Sequence, residues 1–195
     1  VAEPVALTAA DHDAARLLAA SRPVYRGSHR KGAANEVGCL GEVVVARVLA
    51  GSGLHLRPVF ATTHDYAFPN GWTVEVKTKD RTVAPRPGFD CSVPEYVEGH
   101  QTPDFYVFVS LQRDPRHATG MERFHTAHLV GVGSPTLLAR HGHYKDRGHT
   151  DPNGTTFWTA CHNVPISRLV PLASAVAYWS AVGVNAPRTP AVARR

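Results

Sequence analysis

Asp65, Glu75 and Lys77 are the residues of this chain whose types and spacing could do chemistry together. Between the two carboxylates lies Phe68-Pro69-Asn70-Gly71-Trp72, which has the residues of a three-residue hairpin loop. Pro69 suits the first turn position because its ring fixes φ. Asn70 suits the second, and Gly71 the third, where φ must be positive. That loop sets Phe68 opposite Trp72, Ala67 opposite Thr73, Tyr66 opposite Val74 and Asp65 opposite Glu75. Opposed residues share a sheet face, and neighbours along a strand alternate. One face then carries Asp65, Glu75 and Lys77, and the other carries Tyr66, Phe68, Trp72, Val74 and Val76. A two-residue Asn70-Gly71 loop would slip the register and part the carboxylates. Pro69 favours the longer loop.

Two opposed carboxylates repel each other. A divalent cation reverses the sign, and hard oxygen ligands suit Mg²⁺ or Mn²⁺. Lys77 lies two residues beyond Glu75 on the same face, where a phosphate would sit. The plainer alternative is an exposed edge hairpin whose Asp65, Glu75, Lys77 and Lys79 serve only solubility.

The elements that must position these residues give a mixed α/β domain with helices flanking a central mixed sheet. A first helix is predicted over 9–20, with Thr8 and Asp11 as a capping box and an apolar face from Leu17 and Leu18. A second spans 34–50, with Gly51 as its stop signal and Val37, Leu40, Val44 and Val48 at helical spacing. Gly38 and Gly41 weaken this helix, so each predicts a close approach by a neighbour. Strands are expected at 54–61, on both sides of the hairpin, at 105–111, at 125–132 and at 155–162. Short helices are expected at 135–140, with Ser134 as cap, and at 172–182. Phe157, Trp158 and Trp179 are expected in the core. The domain is taken to span 1–182, with an N-terminal helical extension, and a basic tail to follow over 183–195.

On the second helix, Glu42 falls at the border of the apolar stripe, one turn after Gly38, within reach of the sheet. Glu36 lies on the opposite border and is the weaker candidate. Gly38-Cys39-Leu40-Gly41-Glu42, then Asp65, then Glu75-Val76-Lys77, resembles the PD-(D/E)xK nuclease superfamily, including its phage-type and Holliday-resolvase-like endonucleases. The likeness covers 34–111 and extends loosely through 163–167. His64 stands where the nominal proline would be, and Gln101 with Tyr106 is a faint match to the Q…Y element of the RecB-like branch. The resemblance implies a restriction-endonuclease-like core and a Mg²⁺- or Mn²⁺-dependent DNA endonuclease. Asp65, Glu75 and the Val76 carbonyl would hold the metal. Glu42 would hold a second metal or a metal-bound water, and Lys77 would activate the attacking water. Lys79, Arg81 and Arg86, with Arg30 and Lys31, would contact the DNA backbone.

Composition is consistent with this and narrows the alternatives. Lys and Arg outnumber Asp and Glu by 21 to 16, giving a net charge of +5, which suits a polyanionic partner without requiring one. No apolar run approaches membrane-spanning length, and no leader pattern is visible. Three scattered cysteines fit a reducing compartment, so a cytoplasmic location is expected. The expected partner is DNA, with a homodimer compatible and no membrane. The alternative reading is a catalytically silent nuclease-fold module for DNA binding or assembly. The 12 histidines leave a third alternative, a zinc site from His141, His143, His149, Cys161 and His162, although no finger spacing completes it. No G-x-S-x-G elbow supports a serine hydrolase.

Overall fold

A computed structural model describes residues 3–22, 32–59, 63–95, 102–116, 119–151, 154 and 156–187. Nine strands and four α-helices are found among them. In chain order these are β1 (Glu3–Ala6), α1 (Ala9–Ser21), α2 (Gly32–Gly51), β2 (Arg57–Pro58), β3 (Tyr66–Ala67), β4 (Thr73–Arg81), β5 (Asp90–Pro94), β6 (Phe105–Arg113), β7 (Phe124–Gly133), α3 (Pro135–His141), β8 (His143–Lys145), β9 (Cys161–Pro165) and α4 (Leu172–Ala181).

The chain is a mixed α/β fold, as expected. Six strands form one sheet in the order β1-β7-β6-β4-β3-β2, and three form a smaller sheet in the order β5-β9-β8. The β4–β6 pair is parallel, and its neighbours pair antiparallel. In the β4–β6 register Val76 opposes Val107 and Thr78 opposes Val109. Val74, Val76, Val107 and Val109 pack under α2, in a core that also holds Leu40, Val44, Leu49, Phe68 and Trp179. The other face carries Tyr106 and Phe108, which form a second core with Cys91, Val93 and Val164 of the small sheet and Leu138 of α3. The main sheet therefore lies between a helical layer and the small sheet. Burial on both faces suits a strand run such as β6, with its near-continuous apolar sequence.

The capping box of α1 forms as read from sequence. Thr8 Oγ1 accepts from the Asp11 amide at 3.2 Å, and Asp11 Oδ2 accepts from the Thr8 amide at 2.8 Å. Arg47 of α2 donates to Asp11 at 2.8 Å, so the cap also fastens α1 to α2. The two helix glycines differ. A Cβ on Gly41 would stand 2.0 Å from Thr78 Oγ1, so α2 rests on β4 here at a distance that only glycine permits. Gly38 has open space at its Cβ position, and its expected close neighbour is absent.

Several expectations are corrected. Of the strand expected at 54–61, only Arg57 and Pro58 pair with β3 among the described residues 54–59, where Leu54 turns inward, and residues 60 and 61 lie outside the described residues. The strand expected at 155–162 lies later, at Cys161–Pro165, where Asn163 and Val164 are buried and pair with β5. Leu17 and Trp158 are exposed, at 75% and 67%, whereas Leu18, Phe157 and Trp179 pack inward. Residues 183–187, assigned to the tail by sequence, are docked. Val184 is buried, its carbonyl accepts from the Asn70 amide, and Asn185 binds the Gly53 carbonyl and the His55 amide. Residues 188–195 of that tail, with Arg30, Lys31 and Gln101, lie outside the described residues.

Candidate active site

The hairpin that carries the acidic residues has the expected register. Tyr66 opposes Val74 and Ala67 opposes Thr73. The Phe68 amide donates to the Trp72 carbonyl at 2.8 Å, and Gly71 takes φ of 90°. Asn70 Oδ1 accepts from the Trp72 amide at 2.9 Å and holds the turn. Three residues, Pro69, Asn70 and Gly71, therefore form the loop. Asp65 stands at the mouth of β3, where the ladder ends, and its Oδ2 accepts from the Val76 amide at 2.8 Å. That bond takes the place of a strand partner and aims Asp65 at the middle of β4.

Glu42, Asp65 and Glu75 lie near enough for their charges to act on one another, and Lys77 bonds Glu75. Glu42 stands on α2 and is 3% exposed. Tyr66 donates its hydroxyl to the Glu42 carbonyl at 3.3 Å and steadies that turn of helix. Glu75 is 5% exposed, its Oε1 accepts from Lys77 Nζ at 2.7 Å, and its Oε2 is buried without a hydrogen-bond partner.

Arg22, at the end of α1, is the member that the sequence did not single out for this centre. Its Nη1 and Nη2 donate to the two Glu42 oxygens, each at 2.6 Å, and Nη1 lies 3.6 Å from Asp65 Oδ1. This is a bidentate pair, the strongest common form of carboxylate recognition. Three carboxylates near one lysine call for a further cation, but nothing local in the sequence singles out Arg22.

Burial pushes the Glu42 carboxyl up to about 8, with Asp65 adding to the rise and Arg22 opposing it. Burial likewise pushes Glu75 up to about 7, against the pull of Lys77 and with a further push from Asp65. Both acids thus hold a proton more tightly folded than unfolded. Between about pH 4.5 and about pH 8 the folded state binds more protons, so stability is fully present at the acidic end and falls as pH rises. We expect the metal-free protein to melt lower at about pH 8 than at about pH 5.5, and Glu42→Gln to flatten that slope. A melting temperature that rises across this window would contradict the buried-acid description.

The other cation candidates have separate places. Lys79 Nζ donates to the Asp90 carbonyl at 2.9 Å, and Arg81 donates to the same carbonyl at 2.8 Å and to Ser110 Oγ at 3.1 Å. These bonds pin β5 to β4. The Arg81 guanidinium also lies over the Phe89 ring at 5.0 Å. Arg86 is exposed. Burial pushes the Lys79 ammonium below its usual range, and Arg81 adds to that.

The histidines are dispersed. His143 Nε2 lies 3.1 Å from Asp90 Oδ2, His149 Nε2 lies 3.3 Å from Asp151 Oδ1, and His162 meets the Tyr144 ring edge-on. Cys39, Cys91 and Cys161 are free and buried. Burial pushes Cys39 up to about 12 and Cys91 up to about 11, so neither is a thiolate nucleophile at neutral pH. Among the described residues, no three His, Cys, Asp or Glu side chains are grouped so as to hold a metal ion as they stand. At the acidic centre the Arg22 guanidinium lies between Glu42 and Asp65.

No family model, curated protein or solved structure matches this chain. The case for its function therefore rests on the geometry of its own residues. No helix among the described residues is long and apolar enough to cross a membrane.

Proposed function

We propose that this chain is a metal-dependent DNA endonuclease of the PD-(D/E)xK type, acting through Glu42, Asp65, Glu75 and Lys77. The observation that carries the reading is the convergence of three acids and a lysine from a helix, a hairpin mouth and a sheet strand, with Glu75 Oε2 buried and unbonded. A buried carboxylate oxygen beside two further acids is costly unless a proton or a cation completes it, and a cation becomes the better partner as pH rises. The donors suit Mg²⁺ or Mn²⁺ in kind, being hard oxygens, once Arg22 withdraws from Glu42. Glu42, Asp65, Glu75 and the Val76 carbonyl would then hold the ion. Bound there, a divalent ion supplies a water that ionises near neutral pH and positive charge against the phosphate.

The chain's own groups do the remainder. Asp65, fixed on the Val76 amide, orients the acidic centre against β4. Lys77, held by Glu75, presents an ammonium to the attacked phosphate and steadies the negative charge that grows on it. Burial of Glu42 and Glu75 excludes water and strengthens each of these interactions. DNA is the partner, and the net charge of +5 assists its approach.

One observation favours the second reading, a silent nuclease-fold module that binds DNA or serves assembly. Arg22 already satisfies Glu42 in full. A cleavage assay separates the two. Labelled linear, nicked, flapped, branched and single-stranded DNA would be incubated with Mg²⁺, with Mn²⁺ and with excess EDTA. The endonuclease reading expects products with metal only. Full activity in EDTA, or none on any substrate with either metal, would sink it.

A further inference from the structure

Arg22 is the outermost charged group of the acidic centre. Its side chain is 22% exposed, more than those of Asp65, Lys77, Glu75 and Glu42. Of the five it is the one most open to a phosphate arriving from solvent. Its bidentate pair occupies the same two Glu42 oxygens that an ion would need. That pair uses only two of the five N–H groups of a guanidinium. The backbone beneath is fixed. The Arg22 amide donates to the Ala19 carbonyl at 3.3 Å, and the Arg47–Asp11 pair fastens α1 to α2. Release of Glu42 is then a rotation of one side chain, and the helix need not move.

Charge decides where the released guanidinium goes. The carboxylates of Glu42, Asp65 and Glu75 outnumber the cations Arg22 and Lys77, and Lys77 is itself engaged by Glu75. Without a metal the centre therefore repels a phosphodiester. A divalent ion on Glu42 and Asp65 reverses the excess and takes from Arg22 its carboxylate. A phosphate beside that ion is the ready replacement. It offers paired oxygens to which the guanidinium fork is already matched.

We propose that Arg22 is a metal-gated phosphate clamp, which stands in for the ion on Glu42 and passes to a phosphodiester of the bound DNA when the ion enters. The proposal rests on the nuclease reading for the place of the ion. It adds that metal and DNA bind cooperatively, each tightening the other by the same factor. It also accounts for the full satisfaction of Glu42 by Arg22 without making the centre silent.

The test follows DNA binding by fluorescence anisotropy over a series of salt concentrations, in EDTA and in Ca²⁺, which takes the same kind of oxygen ligands. The full chain and its Arg22→Gln variant are compared on whichever DNA of the cleavage panel binds most tightly. In EDTA, where Glu42 holds Arg22, we expect both proteins to share one slope of log K against log salt. In Ca²⁺ we expect the parent slope to be steeper by about one, for one phosphate contact more. Ca²⁺ is also expected to lower the parent Kd by about tenfold or more, and that of the variant by about threefold at most. Equal slopes in Ca²⁺ from two natively folded proteins would overturn the proposal and leave Arg22 on Glu42. So would a slope difference already present in EDTA, because the contact would then need no metal. Where Arg22→Gln fails to fold, the parent decides alone, and a Kd unchanged by Ca²⁺ overturns the clamp. If the slopes part only in Ca²⁺ but the parent never cleaves with Mn²⁺, the clamp stands and the nuclease reading falls. Cleavage by the parent together with equal slopes in Ca²⁺ has the opposite meaning.

Discussion

Lys77→Ala is expected to slow metal-dependent DNA cleavage by about 10³-fold while leaving DNA affinity within about threefold. The asymmetry follows from where the ammonium is held. Its Nζ is 2.7 Å from Glu75 Oε1, and the side chain is 14% exposed. A cation so placed is fixed before substrate arrives and acts in a medium of low polarity. Its interaction is therefore strongest with charge that develops during reaction. Phosphate contacts made elsewhere on the strand supply binding and survive its loss. Single-turnover cleavage and anisotropy on the same preparations would separate the two quantities. Cleavage within tenfold of the parent would remove Lys77 from the catalytic set, and a parallel collapse of affinity would make it a binding residue instead.

Arg22→Gln carries the second large effect. It breaks a buried bidentate pair and leaves Glu42 facing Asp65 and Glu75 without its own cation. Loss of one partner of such a pair costs about 3 kcal/mol or more while the other stays charged. We expect that cost near pH 8, and we expect it to shrink as pH falls, because Glu42 then takes up a proton. We also expect Mn²⁺ to restore stability and to bind the variant more tightly than the parent, since Arg22 and the ion want the same oxygens. Urea unfolding at two pH values and calorimetric titration with Mn²⁺ would measure this. A penalty indifferent to both pH and metal would show that Arg22 is a simple structural strut. Weaker Mn²⁺ binding would instead make it a supporting member of the site.

The centre of the molecule was legible in the sequence for local reasons. Pro69-Asn70-Gly71 specifies one loop length, and loop length specifies register, so the pairing of Tyr66 with Val74 and of Ala67 with Thr73 follows from turn chemistry alone, whereas the Asp65 carboxylate is placed by its bond to the Val76 amide. The apolar spacing of α2 similarly placed Glu42 at the sheet. What the sequence hid was decided at a distance. β1 contains Pro4, which speaks against a strand unless that strand lies at an edge, and its place there is set by β7. β5 and β8 are only five and three residues long, and they exist because β9 lies between them. The β-prone residues at 156–160 were passed over because pairing with β5 selected the segment that buries Asn163 and Val164. Arg22 could not be assigned because nothing local joins the end of α1 to Glu42.

The order of strands also has a consequence in time. β4, which carries Glu75 and Lys77, is stabilised on one side by the hairpin beside it and on the other by a parallel partner, β6, that follows much later in the chain. β1 waits longer still, since Glu3 pairs with Leu129. Contacts so distant in sequence form slowly, because loop closure must precede them. A chain emerging from the ribosome therefore makes its hairpin and α2 early but cannot close the sheet around them until β7 has appeared. The acidic centre and its lysine come into being late, with most of the protein already synthesised, and a fragment ending before β7 would carry every residue of the site without the site itself.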